Sequence, residues 1–193
     1  MQNVAEARMY MKAAQTDKTT VQFIVGVREE PYKQDGTAAK PTPFVLVNVN
    51  GDDTLKDFNQ IDGSVKIGND IFPVTLLQNP YNPLNFSFDI IKSLTREINP
   101  DEAVEVTLFI ADNNHPTFQL QNTMDADAIT WDKAVRVAAD KMGDKLKNQA
   151  FETYVTIMHN VAEDSGAFWY VQFITKDGKT HYAVIAPDGS AIG

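Results

Sequence analysis

Two apolar runs near the C-terminus constrain this chain more than any other feature. Residues 167–174 read A-F-W-Y-V-Q-F-I and residues 181–186 read H-Y-A-V-I-A, with T-K-D-G-K before the second run. Both runs are rich in aromatic and β-branched residues, and they flank Asp177-Gly178. An Asp-Gly pair supplies the positive φ angles of a tight type I′ turn, so this segment is expected to be a β-hairpin. Phe168, Trp169 and Tyr170 are consecutive. Successive strand residues point to opposite faces, so at least one ring must face away from the core of a single-layer sheet.

The rest of the chain reads as a mixture of helices and strands. Residues 4–15 are good helix formers, and Val4, Ala7, Met11 and Ala14 share a helical face. Residues 21–27 and 44–49 read as strands, separated by a breaker-rich loop over 29–43 that carries Pro31, Gly36, Pro41 and Pro43. Residues 65–67 and 71–77 form a hairpin across Gly68-Asn69-Asp70, and N-P-Y-N-P at 79–83 reads as a rigid turn. Ile90, Ile91, Leu94 and Ile98 have helical spacing within 88–98, and residues 104–110 alternate as a strand. Residues 111–127 are polar and weakly patterned, with Phe118 and Leu120 as a short strand at most. Thr130 is placed to cap a helix over 131–147, with a stripe of Trp131, Ala134, Val135, Ala138 and Met142. A strand over 151–158 then leads to the terminal hairpin. The expected class is α+β. A strand-rich unit over 1–123, with one or two helices, precedes a unit over 124–193 in which a helix packs on a three-stranded antiparallel sheet.

From about residue 125 the order of elements resembles a PepSY-type domain. The residues that carry the resemblance are T-W-D-K-A-V-R-V-A-A-D, then Trp169, Val171 and Phe173 in a W-x-V-x-F strand. Asp177-Gly178-Lys179, Tyr182, Val184 and the closing A-P-D-G-S complete it. Ala186 stands where the family carries an acidic residue before its last turn, with Asp188 two residues later. The resemblance implies a non-catalytic module of the bacterial envelope or exterior, of a kind that accompanies and modulates peptidases. Residues 1–123 resemble no family.

The 193 residues are 43% apolar and 10% aromatic, enough to build a core. A net charge of −9 disfavours nucleic acid and anionic membranes as partners. There is no cysteine, which removes disulfides, thiol catalysis and thiolate metal sites. No stretch reaches the roughly 20 apolar residues of a membrane-spanning helix, and residues 1–20 lack the apolar core of a signal peptide. The expected location is the envelope or exterior if a signal has been removed ahead of Met1, and the cytoplasm otherwise.

Chemistry is sparse. The three histidines, His115, His159 and His181, show no metal-ligand spacing, and each reads as a loop, turn or edge residue. His115 follows Asp112 closely enough that the loop 112–115 is the one candidate hydrolytic site. No G-x-S-x-G or phosphate loop is present. Asp125-Ala126-Asp127 and Asn50-Gly51-Asp52-Asp53 lack full calcium-loop spacing and fit turn or cap roles. No cofactor and no metal are expected. The preferred reading is a non-enzymatic protein-binding module. It would work by surface complementarity or strand addition through Trp169, Tyr170, Tyr182 and the Pro-rich loop around Tyr32. The alternatives are an intracellular or phage-type acidic protein that inhibits a host factor, and a hydrolase using the 112–115 loop.

Overall fold

In a computed structural model, residues 4–29, 41–89, 96–111, 114–146, 150–160 and 165–192 are described. They form twelve strands and one α-helix. The strands are β1 (Val4–Gln15), β2 (Thr20–Glu29), β3 (Pro41–Asn50), β4 (Gln60–Ile67), β5 (Asp70–Asn79), β6 (Asn82–Asp89), β7 (Val104–Phe109) and β8 (Thr117–Asn122), followed after α1 (Trp131–Met142) by β9 (Ala150–Asn160), β10 (Ser165–Thr175), β11 (Thr180–Ile185) and β12 (Ala191–Ile192). The expected α+β class is therefore wrong, because the protein is mostly β.

One expected helix accounts for much of the error. Residues 4–15 form β1, with Ala7, Met11 and Ala13 buried. Helix propensities differ by only tenths of a kcal/mol per residue, so a segment whose backbone is paired by neighbouring strands overrides them. In the 88–98 segment, Phe88 and Asp89 end β6, and residues 96–98 are not helical. Residues 90–95 lie outside the described set.

The chain divides into two compact units, one built from residues 11–25 and 44–122 and the other from residues 1–10, 26–43 and 123–193. The first is a closed eight-stranded antiparallel barrel with strand order β1-β2-β3-β6-β5-β4-β7-β8. Closure comes from Lys12 opposite Asn122 and Ala13 opposite Gln121. The weakly patterned segment around Phe118 and Leu120 thus supplies the closing strand. Closing the sheet removes its edges. Alternating residues fill the interior, among them Phe23, Val47, Val65, Leu76, Phe86 and Val106, all fully buried. This interior is a packed core rather than a channel.

The hairpin expected across Gly68 forms, with Ile67 opposite Asp70 and Gly68 at φ 59°. Outside the barrel, Arg96 ties this turn to the following loop. Its guanidinium donates two hydrogen bonds to Glu102 at 2.8 and 2.9 Å and one to Asp70 at 3.0 Å.

In the second unit the strand order is β12-β11-β10-β9-β1, with β1 parallel to β9 and the other pairs antiparallel. The terminal hairpin forms, but its loop has three residues rather than two. Thr175 and Lys179 are bonded across it, and the Gly178 amide donates to the Thr175 carbonyl at 2.8 Å. Gly178 takes the left-handed position at φ 78°. A turn followed by a left-handed glycine is the usual three-residue hairpin loop. Helix α1 begins after Thr130, whose hydroxyl bonds the Asp132 carboxylate instead of a backbone amide. It presses Ala134, Val135 and Ala138 onto the sheet.

Candidate functional site

The second unit has two unlike sheet faces, set by strand alternation. On one face Val155, Ile157, Trp169, Val171, Phe173 and Ile185 are buried. Helix α1 lies against β9, β10 and β11 on this side. The Trp169 indole donates to the Ile129 carbonyl at 3.1 Å, so even its polar atom is satisfied inside the fold.

The other face carries the alternate residues. Thr156, Tyr170 and Val184 form one cross-strand row that ends on Ile192, and Tyr154, Gln172 and Tyr182 form the next. The Tyr170 and Tyr182 rings stack at 5.7 Å with 26° between their planes. Tyr182 is 61% exposed, Ile192 50% and Met158 46%, so large apolar surface meets solvent here.

A cleft of about 340 Å³ lies on this face, lined by Arg8, Tyr154, Thr156, Met158, Tyr170 and Gln172 among others. Its polar groups are held in place. Arg8 donates to Glu6 at 2.9 Å, and the Tyr154 hydroxyl donates to Glu152 at 2.9 Å. The Thr156 hydroxyl is buried and has no hydrogen-bond partner among the described residues. A buried hydroxyl without a partner is costly, and a bound polar group would relieve that cost.

At the tip of the β10–β11 hairpin, the Asp177 carboxylate is bonded by Lys179 and by the Thr175 hydroxyl. These donors, Lys179 first, hold its pKa down to about 2. The loop that carries the exposed strand is thereby fixed.

The structure places the four expected contact residues differently. Tyr170 and Tyr182 come together on the open face. Trp169 is only 2% exposed and belongs to the core beneath α1. Tyr32 lies outside the described residues. Arg8 and Glu6 also line the cleft, and the helical spacing of residues 4–15 hides them in the sequence. The sequence signal that would have found them is the pairing partner of β9, which sits far away in the chain.

The histidines are not brought together. His115 is exposed on the barrel, with its ring 5.0 Å from that of Phe109, and Asp112 lies outside the described residues. His159 and His181 stand on β9 and β11. No group of three or more metal-ligating side chains exists among the described residues. Asp52 plays a turn role, accepting the Thr54 amide at 2.9 Å. No helix among the described residues is long and apolar enough to cross a membrane.

No family model, curated protein or solved structure matches this chain.

Proposed function

We propose that the protein is a non-enzymatic protein-binding module whose contact surface is the open sheet face of the second unit. The observation that carries this reading is the stacked Tyr170–Tyr182 pair beside the cleft, on a face with exposed Met158 and Ile192. Contiguous apolar surface rimmed by polar groups marks an interaction site, and tyrosine is favoured at such sites because it pairs a large apolar body with a polar tip. The net charge of −9 favours a partner surface of net positive charge. The PepSY-type resemblance of residues 125–193 supports the same reading and makes peptidases the first partners to try.

The test is affinity capture from lysate and culture medium of the source cells with wild type beside Tyr170→Ala/Tyr182→Ala. Both rings lie on the open face, so the double variant is expected to stay folded. Loss of a specific retained protein is the expected result. Equal retention by both proteins would rule out this face. A retained peptidase would favour the envelope module, and a nucleic-acid enzyme would favour the inhibitor of an intracellular host factor.

A further inference from the structure

The open face of the second unit has one short side chain amid long ones. Thr156 on β9 stands opposite Tyr170 on β10, and the pairing of Ala7 with Val155 brings Arg8 level with it on β1. Tyr154 and Met158 are its same-face neighbours along β9. A threonine ringed by longer side chains leaves a depression, which is the cleft of about 340 Å³. That volume is within the range of small-molecule sites.

The chemistry of the lining selects among ligands. Arg8 and Glu6 are its charged side chains among the described residues, and they pair with each other at 2.9 Å. An anion would meet Glu6, with Glu152 close by under the Tyr154 hydroxyl, in a chain of net charge −9. A cation would meet Arg8. An apolar ligand would cover the ion pair and the Gln172 amide and offer them no hydrogen bonds. A neutral ligand with donors and acceptors side by side avoids all three costs. Glu6, Arg8 and Gln172 are planar forks, each with two polar atoms at its tip. Arg8 uses Nε on Glu6, which leaves its two terminal nitrogens. A fork of this kind spans two hydroxyls on adjacent carbons. The Thr156 hydroxyl, buried without a partner among the described residues, is a further donor and acceptor. Tyr154 and Tyr170 give the cleft aromatic walls. The C–H hydrogens on one face of a sugar ring carry partial positive charge and pack on the negative face of an aromatic ring.

We infer that the cleft binds a neutral saccharide, with vicinal hydroxyls held by Glu6, Arg8 and Gln172 and one ring face against Tyr170. The inference goes beyond the protein-binding reading and does not depend on it. Tyr182 belongs to the contact face alone and Thr156 to the cleft, so the two readings can fail separately.

The test screens the intact protein on a printed array of neutral and acidic glycans. The best neutral glycan is then titrated by calorimetry into wild type, Thr156→Val, Gln172→Ala and Tyr182→Ala. Thr156→Val keeps the side-chain shape and removes the unpartnered hydroxyl, so its thermal midpoint should equal or exceed that of wild type. The expected result is binding weakened about tenfold or more by Thr156→Val and by Gln172→Ala, and within about twofold of wild type in Tyr182→Ala. A Thr156 substitution that keeps stability and loses ligand is not explained by a folding role. An array that retains no neutral glycan would overturn the inference. Retention of acidic glycans alone would also overturn it, and would make the Arg8 edge an anion site. Binding of a neutral glycan that neither cleft variant weakens would put the sugar elsewhere and overturn the cleft site. Capture of a protein partner that Tyr182→Ala abolishes, with no glycan bound, would leave only the protein-binding reading standing.

Discussion

At the scale of single residues, burial decides which aromatic side chains hold the fold and which are free to act. Trp169 and Tyr170 are neighbours in sequence, yet one is 2% exposed under α1 and the other stacks on Tyr182 at the open face. Trp169→Ala is expected to cost about 3–5 kcal/mol, as for other large core aromatics. Trp169→Phe keeps most of the bulk but strands the Ile129 carbonyl, and should cost about 1–2 kcal/mol. Urea titration of both variants checks this. Tyr182→Ala, by contrast, should leave the midpoint nearly unchanged, because its ring is already largely in water. Asp177 supplies a prediction in pH. Its folded pKa is depressed from 3.8 to about 2, so its contribution to the hairpin tip is present above pH 3.8 and lost as pH falls through about 2. An NMR titration should show the Thr175 and Lys179 amides shifting together with the Asp177 carboxyl. A midpoint near 3.8 would mean that the Lys179 and Thr175 contacts are absent in solution.

At the scale of elements, hairpins announced by turn residues between alternating runs were legible, and strands without those signals were not. The β4–β5 and β10–β11 hairpins carry their turn residues between them, so their existence follows from a short window. Even there, whether the Asp177-Gly178 loop held two residues or three was decided by the bond between Thr175 and Lys179. Strand β1 has a local neighbour in β2 across the short turn at Thr16–Thr19, but the helical spacing of residues 4–15 hides it. Its pairing with β9 and β8 brings together segments more than 100 residues apart, and no periodicity within 4–15 announces it. Close approach of two strands gives a sharp test of the barrel. Gly63 on β4 faces Leu108 on β7, and a methyl group there would stand 2.4 Å from the Thr107 carbonyl oxygen. Gly63→Ala must push two paired backbones apart and is expected to destabilise by about 1–3 kcal/mol. Thermal unfolding measures it, and an unchanged midpoint would contradict this β4–β7 register.

At the scale of the whole molecule, each unit is assembled from segments distant in the chain. The second unit takes residues 1–10 along with 123–193, and β1 covers the edge of β9 through Ala7 opposite Val155. Residues 124–193 expressed alone would keep α1 and the hairpin but bare that edge. They are expected to self-associate on size-exclusion chromatography, and a peptide of residues 1–10 added in trans should reduce the association. A well-behaved monomer would show that β1 is dispensable there. The candidate face was half legible for the same reason. Tyr170 and Tyr182 lie on one hairpin and could be named from alternation, whereas Arg8 and Glu6 reach the cleft only through β1. The amino-acid sequence by itself determined the local hairpins, the helix after Thr130 and the acidic, cysteine-free character of the chain, because short-range backbone preferences and composition need no partner. Tertiary structure alone decided that residues 4–15 are a strand, that eight strands close into a barrel and that Trp169 faces inward. Those outcomes depend on which distant backbone satisfies each hydrogen bond and on which sheet face the helix covers.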